Sequence, residues 1–363
     1  MPDFLNPTQA ELAARADELA ARLTGLPADP SAGDDDLRAA VMAASKSAGV
    51  WPLTQQTDPP AAAADLVVVR DALGRHNVGH LPGVFGPAPG LLADAPEPLR
   101  SRVLPAYLAG ELRGGFGFTE PADAPRPTWA RRDGDELVVN GQKSYVTGGA
   151  DADFVNTLVD VDRSGPALVL IETDRPGVEL TRRFGTLDGN HHAAFTFTDV
   201  RVPAGNLLGA PGRGLSRALS QIGAVRLAIA ADCVGLCRFV VEFVERHLRE
   251  GGSEDDAAVR VALGAMRVGA YAARSVVYRT ARLVDAGENT VNETMAAKVL
   301  ATETAAALVD DAIQIVGGQA LADDHPLSSI LRRVRAARLA EGPTDVLHAG
   351  IARGSLDLGL GRL

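Results

Sequence analysis

Gly114-Gly115-Phe116-Gly117-Phe118-Thr119-Glu120-Pro121 is where this 363-residue chain changes its period. Upstream, apolar residues recur at helical spacing. Asn6-Pro7 with Glu11 in the first turn opens a helix that carries Leu12, Ala13, Ala20 and Leu23. Further helices are expected near Leu37 to Ala48, closed by Gly49, near Ala62 to Leu73, and near Glu97 to Leu112 around Pro105, with loops at Asp58 to Ala64 and Leu81 to Leu92. From Gly114 the runs turn short, alternating and β-branched: Leu137-Val138-Val139, Ser144-Tyr145-Val146-Thr147, Ala167 to Glu172 and Ala194 to Val202. Asp133-Gly134-Asp135 and Asn140-Gly141 read as hairpin turns with one strand between them. After Gly212 the helical period returns almost to the C-terminus, broken at Gly251-Gly252, Asp285 to Asn289 and Gly317-Gly318.

Helices, then strands, then helices is an α+β order. It predicts an N-terminal α-helical domain over 1–112, a middle β domain over 113–210 and a C-terminal helical bundle over 211–363. βαβ alternation is absent. Neither the run from Gly209 to Gly214 nor Gly115-x-Gly117 matches G-x-G-x-x-G, so a Rossmann dinucleotide site is excluded.

Composition narrows the function classes. Thirty-six basic against 46 acidic residues give a net charge of −10, which argues against nucleic acid as a partner. With 46% hydrophobic and 23% charged residues the chain is globular in type. Its most apolar helical stretch, Leu227 to Leu236, carries Asp232, so no membrane span is expected, and Asp232 is expected to pair with a cation from the C-terminal bundle. The opening Met1-Pro2-Asp3-Phe4-Leu5-Asn6 lacks a basic and an apolar region of a secretory signal, and a cytoplasmic location is the expectation. Cys233 and Cys237, four apart on one helix, fit neither a redox pair nor a zinc site and read as small buried hydrophobes. His191-His192 read as surface-loop residues without metal-ligand spacing.

Several ordered motifs go further. Gly115 to Pro121, then Asn140-Gly141-Gln142-Lys143-Ser144-Tyr145-Val146-Thr147-Gly148-Gly149, then Asp199 to Gly209 resemble the middle domain of acyl-CoA dehydrogenases. Asp311-Ala312-Ile313-Gln314-Ile315-Val316-Gly317-Gly318 and Glu341-Gly342-Pro343-Thr344-Asp345-Val346 resemble their C-terminal domain. The resemblance implies a helical domain, a β-barrel-like domain and a four-helix-type C-terminal bundle, with FAD as cofactor. It also implies an acyl-CoA substrate, an electron-transferring flavoprotein as acceptor, a place in lipid metabolism, and a homo-oligomer or a hetero-oligomer with a homologous chain.

The same resemblance implies site residues. Phe116, Phe118, Thr119, Tyr145, Val146 and Thr147 would meet the isoalloxazine ring, the hydroxyls and amides of Thr119 and Thr147 lying near the atom that receives the hydride. Preorganised donors there stabilise the charge the ring acquires, although threonines in strands also serve β-propensity and satisfy their hydroxyls locally. Tyr145 stands where many relatives carry a tryptophan, and it either packs on the ring or fills the barrel core. Gln314, Gly317 and Gly318 would form part of a cofactor contact between subunits. Glu341 is the candidate base, with Arg226 and Gly342 as substrate-binding residues. Desaturating an acyl thioester removes the α hydrogen as a proton and the β hydrogen as hydride, so a carboxylate is needed, and a desolvated pocket raises its pKa towards working pH. The alternative for Glu341 is to stabilise the helix start at Gly342-Pro343-Thr344-Asp345. Some relatives place the base beside an arginine corresponding to Arg226, but here Gly223 and Val225 flank it and neither takes a proton.

Two departures stand out. The loop after Thr-Glu-Pro, Ala122-Asp123-Ala124-Pro125-Arg126, is shorter than in relatives. Where relatives carry Arg-x-x-Phe-Gly and then Gln at a subunit interface, this chain has His247-Leu248-Arg249-Glu250-Gly251 and Ala258, leaving Arg246, Arg249 or Arg260 as substitutes. Two other readings therefore stay open: a partly structural subunit of a hetero-oligomeric enzyme, and a flavin oxidase or monooxygenase on the same fold.

Overall fold

The computed structural model describes residues 5–24, 26, 34–57, 59–252, 255–360 and 362–363. The expectations drawn from the first four residues and from Asp58 lie outside them. The helices α1 (Pro7–Thr24), α2 (Asp34–Ser47), α3 (Ala63–Arg75) and α4 (Leu99–Ala109) come first. Seven strands follow: β1 (Gly114–Gly117), β2 (Trp129–Asp133), β3 (Glu136–Thr147), β4 (Phe154–Val161), β5 (Gly165–Glu172), β6 (Val178–Gly185) and β7 (His191–Pro203). The chain then returns to helix in α5 (Gly214–Gly251), α6 (Ala257–Asp285), α7 (Val291–Val316), α8 (Pro326–Ala337) and α9 (Thr344–Leu358). The α+β class and the helix–strand–helix order are as expected. By internal contacts the chain forms two compact units, one comprising the residues up to Gly86 with Gly223–Leu363, the other Pro87–Ile222.

The first unit is helical. Asn6 caps α1 reciprocally with Gln9: the Asn6 side chain accepts from the Gln9 amide at 2.9 Å and the Gln9 side chain accepts from the Asn6 amide at 3.3 Å. Its core joins Leu19 of α1, Leu73 of α3, Val234 and Val240 of α5, Val277 of α6, Val309 of α7 and Ile330 of α8, all buried. Helices α3 and α5 approach so closely that a Cβ on Gly74 would stand 2.9 Å from the Gly235 Cα. Cys233 and Cys237 are buried free thiols, and burial pushes Cys233 up to about 12. Asp232 pairs at 3.0 Å with Arg70 of α3, a cation from the N-terminal helices rather than from the C-terminal bundle.

The second unit is a curled mixed sheet in the order β1-β4-β2-β3-β7-β6, with β5 on β4. β1 and β2 run parallel to β4; the other pairs are antiparallel. Helix α4 packs on this sheet through Leu99 and Val103 against Phe154, Leu168 and Leu170. It ends at Ala109 rather than Leu112, because Gly110 adopts φ 83° and stops it.

Gly134 makes the expected hairpin turn between β2 and β3, with Asp133 opposite Glu136. Asn140-Gly141 does not turn the chain. It lies inside the 12-residue β3, at a register shift against β7, where Asp199 takes φ 47° and exchanges hydrogen bonds with the Asn140 side chain at 2.9 and 3.1 Å. Gly141 is required there because a Cβ would stand 2.6 Å from the Thr128 Cα. Asn-Gly signals an unusual backbone, and the neighbouring strands turned that signal into a bulge rather than a hairpin. Among the described residues no helix is long and apolar enough to cross a membrane.

Candidate active site

In the sheet unit, a second bulge in β3 sets the geometry. Lys143 pairs with Phe195 and Val146 with Ala193, so Ser144 and Tyr145 together stand opposite a single residue, Ala194. Tyr145 is thereby forced to φ 53° and its side chain is 61% exposed, while Val146 is fully buried and Thr147 is exposed. A tyrosine at positive φ is strained, and such strain gathers at functional positions. The ring meets Phe184 edge to face at 5.1 Å, and Phe184 stacks on His192 at 5.6 Å. Thr147 Oγ1 lies 3.3 Å from His192 Nδ1. The histidines thus begin β7 instead of lying in a loop, and His192 braces Thr147. Val146 packs in the sheet core, which leaves only its backbone for a ligand.

Thr119 is held beside this bulge. The Ser144 amide donates to the Thr119 carbonyl at 2.8 Å. Lys143, only 1% exposed, donates to the Phe118 carbonyl at 3.2 Å and to Glu120 Oε1 at 2.8 Å, and the Thr128 amide donates to the same carboxylate at 2.8 Å. Burial works to raise the Glu120 pKa, but the bonds from Lys143 and Thr128 outweigh it and hold the carboxyl below its usual value. Thr119 is exposed between two clamped neighbours, and the Phe116 and Phe118 rings stack with centroids 6.0 Å apart. The structure therefore brings Phe118, Thr119, Tyr145 and Thr147 together. Lys143 is a buried lysine in a strand, and a charge there needs a partner such as the Glu120 carboxylate.

In the helical unit, Arg226 of α5 donates from Nε to the Glu341 carbonyl at 2.9 Å. Glu341 sits in the turn between α8 and α9 at φ 54°, followed by Gly342 at φ 114°. A Cβ on Gly342 would stand 2.9 Å from Leu347 Cδ2, so glycine is required on both counts. Lys298 of α7 donates from Nζ to the carbonyls of Arg338 and Gly342, each at 3.0 Å. Burial raises the Glu341 pKa above the usual carboxylate value, against the opposing charges of Arg226 and Lys298. Arg226, 115 residues earlier in the chain, thus clusters with the adjacent Glu341 and Gly342.

Gln314, Gly317 and Gly318 lie at the end of α7. Gln314 and Gly318 are exposed, Gly317 takes φ 85°, and a Cβ on either glycine would meet nothing within 4 Å. At the end of α5, Arg246 and Arg249 are exposed, Arg246 standing 5.8 Å from the Phe243 ring centroid, while Arg260 pairs with Asp255. Among the described residues no group of three metal-ligating side chains gathers.

Residues 115–200 match the family model of the acyl-CoA dehydrogenase middle domain, and residues 212–356 that of the acyl-CoA dehydrogenase C-terminal domain. A probable acyl-CoA dehydrogenase of Mycobacterium tuberculosis is 30% identical over 283 residues, 72% of this chain and 69% of that protein. The chain belongs to the acyl-CoA dehydrogenase family. These are FAD flavoproteins and oxidoreductases of CH–CH bonds. Mitochondrial isobutyryl-CoA dehydrogenase of Dictyostelium discoideum is 28% identical over 71% of this chain and 66% of its own length, just under two thirds of that relative. A probable acyl-CoA dehydrogenase of Mycobacterium abscessus superposes with a TM-score of 0.85 at 26% identity, covering 96% of this chain and 98% of that one.

The residues fit the family's cofactor on structural grounds. An exposed tyrosine held at positive φ by a bulge, with Phe184 and His192 against its ring and the exposed Thr119 and Thr147 nearby, offers an aromatic surface with polar donors. That is the donor set for a planar ring with an apolar face and a hydrogen-bonding edge.

Proposed function

We propose that this chain desaturates an acyl thioester such as an acyl-CoA at its α,β bond, with Glu341 as the base. The observation that carries the reading is the Glu341 turn: a carboxyl whose pKa burial raises, on a residue at positive φ, beside a half-buried arginine bonded to its carbonyl. The Cα–H bond breaks and its proton goes to the Glu341 carboxylate. The carbon–carbon double bond forms as the β hydrogen leaves with its electron pair. Bound FAD supplies the acceptor for that hydride. Phe116, Phe118, Thr119, Tyr145 and Thr147, with the Val146 backbone, would hold the ring, and the threonine donors would favour the charge it gains. Arg226 and Gly342 shape the base's turn and are assigned to substrate binding through it. Electrons then pass to an electron-transferring flavoprotein.

The exposed Gln314 and Gly318, with the half-buried Gly317 between them, suit a cofactor contact with a second chain of the family, a copy or a homologue. The exposed Arg246 and Arg249 stand in for the arginine that relatives use.

One preparation tests these assignments. Purified protein, alone or co-expressed with a homologous neighbour, should be yellow, and anaerobic acyl-CoA should bleach it. Glu341→Gln keeps the shape and should keep the flavin and substrate binding while slowing bleaching by roughly 10²- to 10⁴-fold. Absence of flavin after reconstitution, or bleaching of the variant at the parent rate, would refute the reading. Peroxide formation would favour an oxidase. Flavin that reaches full occupancy only on co-expression would assign the partner as a homologue rather than a copy.

A further inference from the structure

We infer that Lys298 is a positioning residue for Glu341: its ammonium ties together the two carbonyls that bracket the turn carrying Glu341, and so holds that residue in its left-handed conformation. The inference rests on the reading of Glu341 as the base.

Lys298 is completely buried on α7, among the least expected places for a lysine. Its two hydrogen bonds go to backbone carbonyls, those of Arg338 at the end of α8 and Gly342 just before α9. These carbonyls stand at the two ends of the segment Leu339-Ala340-Glu341, so a single side chain closes the turn. Neighbouring side chains grip the same segment from outside. Glu303, further along α7, accepts from Arg338 Nε at 2.9 Å and from Thr344 Oγ1 at 2.7 Å, fixing the end of α8 and the start of α9. Arg226 of α5 holds the Glu341 carbonyl itself. A helix terminus needs only some partner for its last carbonyls. A desolvated ammonium is a costly choice for that task and gains its use through its charge.

That charge acts on Glu341. The groups facing the Glu341 carboxyl are Arg226 from α5 and Lys298 from α7. Those facing Lys298 are Cys233 and Arg226 from α5, Glu303 from α7 itself and Glu341 from the turn. Burial lowers the Lys298 pKa to about 8. Both cations work against the burial that raises Glu341; Arg226 holds its carbonyl and Lys298 the carbonyls on either side of it. Lys298 thereby sets the position of the base and the pH above which it is ready.

The test compares Lys298→Met and Lys298→Gln with the parent holoenzyme in anaerobic flavin reduction by acyl-CoA across pH. Lys298→Met removes charge and hydrogen bonds; Lys298→Gln keeps a donor in the slot without the charge. A base displaced by about 1 Å loses roughly 10²-fold in rate, so Lys298→Met should slow reduction by about 10- to 100-fold while acyl-CoA binding to the oxidised protein stays as in the parent. Lys298→Gln should recover part of the rate. In both, the acidic limb of the rate profile should move to higher pH, which a purely structural role would not do. Parent-like rates with an unmoved limb would overturn the inference, as would failure of both variants to fold, which would make Lys298 a folding residue. Glu341→Gln separates the two readings. If it retains the acidic limb, the base is elsewhere. If it loses the limb while the Lys298 variants behave like the parent, only the role of Lys298 falls.

Discussion

Gly342→Ala tests the turn that carries the candidate base. Gly342 adopts φ 114°, a conformation that side chains rarely adopt, and its new Cβ would stand 2.9 Å from Leu347 Cδ2 and 3.4 Å from Leu347 Cγ. Leu347 cannot swing aside cheaply, because it is 1% exposed and packed with Met295 and Val299 of α7. The strained backbone costs about 1–3 kcal/mol and the overpacking about 1–3 kcal/mol more. If the chain relieves this by shifting the turn, the Gly342 carbonyl leaves Lys298 and the Glu341 carbonyl leaves Arg226. A displacement of about 1 Å at the base would cost roughly 10²-fold in flavin reduction. If the chain tolerates the strain instead, the loss appears as thermal stability, at about 2–4 °C per kcal/mol for a unit of this size. Stopped-flow anaerobic reduction and a melting curve on the same sample read both outcomes. A variant that melts and reduces like the parent would show that the turn is not sterically held, and would refute the reasoning.

Lys143→Met should weaken the sheet unit by about 1–3 kcal/mol, since the part-exposed Glu120 carboxylate loses its charged partner and keeps only the Thr128 amide; chemical denaturation measures this, and FAD retention should fall with it because Thr119 lies between the two residues Lys143 clamps. Glu341→Gln should raise the melting temperature at neutral pH. The folded state raises the Glu341 pKa above 4.5, so an ionised Glu341 costs stability above that value and the cost disappears once the pH falls below it. The gain should therefore fade below about pH 4 in melts taken across pH, and a variant no more stable than the parent at pH 7 would contradict the raised value.

Period and punctuation made the architecture legible. The shift at Gly114 from helical spacing to alternation, and back after Gly212, reports which face of each segment is buried, and burial is local information. The glycine breaks at 251–252 and 317–318 fall where α5 and α7 end. The pairing of Asp232 with a cation and the burial of both cysteines were readable from their setting on an apolar helix. The ordered motifs pointed to the family and to candidate residues, but not to their geometry.

What the sequence by itself determined is therefore the order of elements, the α+β class and the family, with a set of candidate residues, because periodicity and motif order are written in near neighbours. Tertiary structure alone decided the rest. Asn140-Gly141 became a bulge because β7 continues past it with Asp199 at positive φ. Tyr145 faces outward because two residues of β3 oppose one of β7. The Glu341 turn is shaped by Arg226, 115 residues earlier, and by Lys298, 44 residues before Gly342. Hydrogen bonds of such separation leave no periodic trace, since the chain between their ends is free to be anything that folds.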